Sequence, residues 1–200
     1  IGLISGVLIC SRPSEVVCLS IPVTLYFVRE NGFRNIHWNH LLSASAAILV
    51  LALPQFLLWK SATGTFLYNP YPHSLDWLNP HILDGLFSYR KGWFVYTPIM
   101  LFALGGIFVP RFIRSKWFWP VFIFVSLNIY IVFSWPMWWY SSSFGMRAMI
   151  QSYAVLVLPL AYCISFLINI NSVIRWSAGI VLGMLTGLNI FQAWQYEQRI

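Results

Sequence analysis

The sequence predicts an all-α membrane protein, a polytopic bundle of transmembrane helices carrying one long polar loop. Three observations carry that prediction. Hydrophobic residues make up 59% of the chain and charged residues only 8%, whereas a soluble chain carries about 25% charged residues to solvate its surface. The apolar residues gather in runs separated by short polar connectors, as in helices that cross a hydrocarbon layer about 30 Å thick. Between Lys60 and Pro98 the runs give way to a stretch holding Asp76, Asp84, His73, His81, Arg90 and Lys91, attended by Trp59, Tyr68, Tyr71, Trp77, Tyr89, Trp93 and Tyr96. Aromatic rings with a polar tip collect at the membrane–water boundary. Residues 60–92 therefore read as a loop on one bilayer face, with short surface helices around Leu75 to Ser88.

Taken in order, residues 1–10 carry Gly2, Ser5 and Gly6, the small residues of a truncated span packed closely on a neighbour. Ser11-Arg12-Pro13 breaks the run, because proline lacks the N–H that a continuing helix needs. Val16 to Val28 is about 13 residues, short against the roughly 20 that span a bilayer. A polar connector at 29–40 leads to a span from Leu41 to Trp59, broken late at Pro54-Gln55. After the long loop, Trp93 to Val109 is the next span, with Gly105-Gly106 as a close-packing patch. A basic turn at 110–116, a span from Trp117 to Trp135 and an aromatic, Ser-rich loop at 136–147 follow. Ala148–Leu167 and Arg175–Trp194 close the chain as its last two spans. The prediction is one transmembrane domain over residues 1–200, with about seven spans. Because the chain starts inside an apolar run and stops just past a span, it reads as the C-terminal-side piece of a larger membrane protein.

Parity puts 29–40, 110–116 and 168–175 on one side. Their cations (Arg29, Arg34, Arg111, Arg114, Lys116, Arg175) are denser than those opposite, and Glu30 is their only acid. The excess of Lys and Arg marks that side as cytoplasmic, so loop 60–92 faces outward. The net charge of +7 is spread over these connectors without a basic stripe, which argues against a nucleic-acid partner. Cys10, Cys18 and Cys163 lie in apolar runs without metal spacing and read as small buried hydrophobes.

A set of ordered motifs adds a resemblance. Leu53-Pro54-Gln55 with Trp59-Lys60 and Gly64 comes first, then Asn79-Pro80-His81 and Leu86 through Pro98 (LFSYRKGWFVYTP). Trp138-Trp139-Tyr140, Ser143-Phe144-Gly145-Met146-Arg147 and Leu188 through Tyr196 (LNIFQAWQY) follow. Together with the Ser11-Arg12-Pro13 break, they resemble the later membrane portion of bacterial GT-C glycosyltransferases. That group is similar to dolichyl-phosphate-mannose protein mannosyltransferases, here in a Bacteroidetes-type form. The resemblance implies a multi-pass enzyme of the bacterial inner membrane. It would take a sugar from a polyprenyl-phosphate carrier to a glycan, lipid or protein acceptor on the outer face. It also implies a catalytic carboxylate base upstream of this stretch, so the residues here would supply substrate binding and be inactive alone.

Such a reaction needs cations aimed at the phosphate leaving group in a dry site, and arginine suits this through its fixed fork of donors. Arg147 and Arg12 are the best placed, followed by Arg90 and Lys91. The competing assignment is snorkelling to headgroups for Arg90, Lys91 and Arg147, and an ion pair with Glu15 for Arg12. A platform for sugar or prenyl chain falls to Trp138, Trp139 and Tyr140, or to Tyr68 and Trp77, unless these only belong to an aromatic belt. His81 and Asp84, with His73 and Asp76, are the outward titratable groups that order the loop or meet the acceptor. Their spacing and that of His37 and His40 give no metal site, no other cofactor is indicated, and the need for a divalent ion is left open. Three alternatives stand beside the transferase: a transporter or flippase for a lipid-linked or small solute, an O-antigen ligase or polymerase-like enzyme, and a non-catalytic membrane scaffold.

Overall fold

The computed structural model describes residues 2–11, 13–29, 38–66, 75–140 and 143–198. Among them every regular element is helical. They fall into two compact units, Ile1–Ser74 and Leu75–Ile200.

The first unit holds α1 (Gly2–Ser11), a 3₁₀ turn (Pro13–Leu19), α2 (Ser20–Arg29) and α3 (Trp38–Thr63). The expected close packing of the first segment is present. A Cβ on Gly2 would sit 2.7 Å from the backbone of Ala44, so α1 lies almost backbone-to-backbone on α3. Ser5 is buried in the same seam. Small residues permit this approach, which gains dispersion contacts along both helices. The break expected at Pro54-Gln55 is absent: α3 runs unbroken from Trp38 to Thr63. One proline removes a single N–H, and a helix with about four turns before it and more than two after it absorbs that loss. The helix stops instead at Lys60–Gly64, where the Gly64 N–H and the Lys60 ammonium reach back to carbonyls, Gly64 N to Lys60 O at 3.1 Å and Lys60 Nζ to Gly64 O at 2.8 Å. The Trp59-Lys60…Gly64 motif is thus a helix C-terminus, with a cation placed where the helix dipole favours one.

The second unit holds α4 (Ile82–Phe87), α5 (Trp93–Tyr96), α6 (Ile99–Ile107), α7 (Pro110–Ile113), α8 (Phe118–Phe133), a 3₁₀ turn (Arg147–Ser152), α9 (Tyr153–Ile168) and α10 (Ser172–Gln198). Its core seam is α6 against α9. There a Cβ on Gly106 would run into the Pro159 carbonyl, whereas one on Gly105 would meet nothing within 4 Å. Only Gly106 of the expected pair is therefore a packing residue. The surrounding core is Trp93, Ala103, Phe112, Phe124, Phe133, Met149 and Leu156.

The stretch expected as one span from Trp93 to Val109 is two helices. Thr97, which precedes Pro98, sits at φ −140°, ψ 66°, because a residue before proline is pushed out of the helical region. Among the described residues three helices are long and apolar enough to cross a membrane: Leu42–Thr63, Arg147–Ile168 and Ser172–Gln198. Two shorter apolar segments, Glu15–Val28 and Phe118–Phe133, accompany them. At about 1.5 Å per residue, the 16 residues of α8 reach about 24 Å, less than the hydrocarbon thickness.

The end of α8 shows why residues 75–81 are ordered. A helix leaves its last carbonyls without internal partners. Here Ser134 N and Oγ serve Tyr130 O at 2.9 and 2.7 Å, and Tyr140 OH serves Val132 O at 2.8 Å. The backbone N–H groups of His81 and Asp76 serve Phe133 O and Ser134 O, each at 2.8 Å. Tyr130 OH returns a bond to Trp77 O at 2.6 Å, and the two rings stack at 5.9 Å.

Candidate functional site

Two turns of the second unit meet around Tyr96. The first runs from Ser88 to Gly92 and presents Arg90 and Lys91. It is tight: Gly92 N–H donates to Ser88 O at 2.6 Å, Arg90 N–H to Ser88 Oγ at 3.1 Å, and a Cβ on Gly92 would lie 2.5 Å from Ser88 O. The second holds Ser143 to Arg147. Gly145 there has φ +49° and lies against Tyr96, whose Cβ would be 3.0 Å from an added methyl. Glycine alone satisfies both the backbone angle and the space.

Tyr96 joins these turns to the helices. Its hydroxyl donates to Tyr89 O at 3.1 Å, its ring meets Phe144 edge-on at 5.6 Å, and Phe144 in turn meets Tyr196 of α10 at 5.7 Å. The Tyr96 carbonyl, freed where α5 ends, accepts the side-chain amide of Asn189. Below this point the buried Trp93 indole N–H donates to Tyr153 OH, which donates to Thr97 Oγ1, both at 3.2 Å. The platform for the two turns is therefore tied to α9 and α10 by these contacts.

On this platform three cations converge. Lys91 Nζ donates to Ser143 Oγ at 3.1 Å and so bridges the two turns. Its ammonium is held below the ordinary lysine range, first by burial and then by the positive charges of Arg147 and Arg90. The Arg90 guanidinium carbon sits over the Trp139 ring, 3.8 Å from its centroid, a cation–π contact that holds the charge in place. Arg147 opens the last 3₁₀ turn before α9 and is exposed. Among the described residues, neither Arg90 nor Arg147 forms an ion pair with a carboxylate. Like charges held near one another raise one another's energy, and a bound anion relieves that.

The other expected site residues fall as follows. Tyr140 is half-buried at φ +47° with its hydroxyl committed to Val132 O, and burial pushes its pKa up to about 12. It anchors the loop that carries Trp139. Trp138 is in the core, packed edge-on to Trp139 at 5.9 Å. His81 and Asp84 face each other across one helical turn at 3.7 Å, His81 half-buried and Asp84 exposed, and the Asp76 carboxylate accepts the Asn79 N–H at 3.2 Å. Arg12, His37, Tyr68 and His73, with the side chain of His40, lie outside the described residues.

Ser143, Tyr96 and Asn189 are members of the site that residue-by-residue reasoning did not select. Asn189 had a signal: a lone amide in an apolar run requires a polar partner. Ser143 had none, since one hydroxyl in a Ser-rich loop is indistinguishable from its neighbours. No protein-family model, curated protein or solved structure matches the chain.

Proposed function

We propose that this chain forms the donor-binding part of an integral membrane glycosyltransferase of the GT-C type. The enzyme moves a sugar from a polyprenyl-phosphate carrier to an acceptor on the outer face of a bacterial inner membrane. The observation that carries the reading is the convergence of Arg90, Lys91 and Arg147 next to an aromatic face. In the transfer step the acceptor hydroxyl oxygen attacks the anomeric carbon, the bond to the phosphate oxygen breaks, and its electron pair stays on the phosphate. The hydroxyl proton passes to a base. The leaving phosphate gains negative charge, and preorganised cations lower the barrier where that charge grows.

In this reading Arg90 and Arg147 grip the phosphate, and Lys91, fixed to Ser143, adds a third charge. Trp139 holds Arg90 and lines the way for sugar or prenyl chain, with Tyr140 as its anchor. His81 and Asp84 order the approach of the acceptor. The helices α1, α2 and α8 and the α5–α6 pair join the three long helices as spans, and residues 60–92 face outward.

The test is radiolabelled polyprenyl-phosphate sugar added to membranes containing the protein together with its upstream catalytic region. The expected result is label transfer to an acceptor, reduced about a hundredfold by Arg147→Ala, the scale of losing one charge-stabilising donor. Near-normal turnover in that variant removes Arg147 from the site. Vectorial uptake of label without transfer points instead to a transporter.

A further inference from the structure

We infer that the groove between α9 and α10, at the end where Asn169–Asn171 joins them, holds one membrane phospholipid with an anionic headgroup. The groove has a volume of about 260 Å³ and is walled by Ile164 and Leu167 of α9 and Gly179 and Leu182 of α10. Its lining is almost wholly apolar, with Arg175 and Trp176 at its rim. Water in such a groove finds few hydrogen-bond partners. Left empty, its walls forfeit their dispersion contacts. Both walls belong to helices long and apolar enough to cross a membrane. The adjoining Ile168 and Trp176 are exposed, so hydrocarbon reaches the groove and an alkyl segment fills it.

Arg175 specifies the head. It lies in the first turn of α10, after Asn171, whose side-chain oxygen accepts the Ile174 N–H at 2.8 Å. A cation there opposes the positive end of the helix dipole. Among the described residues it has no carboxylate partner. The guanidinium and the dipole add to one positive potential at the mouth of an apolar slot, which matches a phosphate joined to an acyl chain. Basic pockets between transmembrane helices bind anionic headgroups in this way, and the Trp176 ring lies at the boundary level between chain and head. The groove is independent of the Arg90–Lys91–Arg147 cluster and of the reading given to it.

The experiment is native mass spectrometry of the protein released from nanodiscs of phosphatidylglycerol and phosphatidylcholine in equal amounts. One phosphatidylglycerol retained per chain is expected, in preference to phosphatidylcholine. Arg175→Ala should weaken its retention about fivefold, the weight of one cation near an anionic surface. Gly179→Leu, which fills the slot and keeps the charge, should weaken it as well. Arg175 is exposed and Gly179 has nothing within 4 Å of an added Cβ, so neither change threatens folding. Equal retention of the two lipids overturns the inference. So does unchanged retention in either variant, or displacement of the lipid by inorganic phosphate alone.

Discussion

Asn189, near the end of α10, donates its side-chain amide to the carbonyl of Tyr96, ninety-three positions earlier in the chain. The carbonyl is available because Thr97 and Pro98 interrupt the helix and leave it without the N–H that a continuous turn would supply. One hydrogen bond thus joins the last helix to the break that supports the cationic turns. Without Asn189 the half-buried Tyr96 carbonyl would lose this partner, and the turns carrying Lys91 and Ser143 would lose a support.

Asn189→Leu should therefore destabilise the protein by about 0.5–1.5 kcal/mol, the net worth of one hydrogen bond. Thermal unfolding in detergent measures this. Asn189→Gln, which keeps the amide, should recover part of the loss. A melting curve unchanged by the leucine variant would show that the bond contributes nothing.

The two glycines of α6 make a matched pair. Gly106→Ala places a methyl against the Pro159 carbonyl and must part α6 from α9, an overpacking cost of about 1–3 kcal/mol. Gly105→Ala meets nothing within 4 Å and gains helix propensity worth up to about 1 kcal/mol. Comparing the two melting temperatures checks this, and the opposite order would disprove the α6–α9 seam.

Lys91 supplies a pH dependence. Its pKa is held below the ordinary value by burial and by Arg147 and Arg90, so the folded state binds this proton less tightly than the unfolded chain does. Stability from this group is lowest below the folded pKa and rises as pH climbs towards the unfolded value. Binding of a phosphate anion has the opposite sign. It is strongest where Lys91 is charged and weakens as pH passes the lowered pKa. Isothermal titration of a short-chain prenyl phosphate between neutral and alkaline pH should show that fall. Lys91→Arg should remove it, because arginine stays charged throughout. A fall that persists in the arginine variant would assign the titration to another group.

Part of this was legible in the residues alone. Gly2 and Ser5 announce a close helix contact because small side chains in an apolar run serve little else, and α1 meets α3 there. The turn at Arg90-Lys91-Gly92 and the loop ending in Arg147 were readable as places where cations stand outside the apolar runs. Thr97-Pro98 carried a readable break that hydropathy masked, since the residues on both sides are equally apolar. Pro54 misled in the other direction: a proline inside a long helix costs one hydrogen bond, and the remainder of the helix outweighs it.

The sequence by itself determined that the protein is helical and suited to lipid, because composition and run length set which solvent a chain can tolerate. It also determined which cations stand free of the apolar runs. Only the tertiary structure decided that Lys91 reaches Ser143 and that Arg90 settles on Trp139. It alone decided that Tyr140 is an anchor and that Asn189 holds a helix break together. Hydropathy is a property of each residue, but a hydrogen bond or a ring contact belongs to a pair. The pairs here are separated by tens of residues, and only the packed chain brings them together.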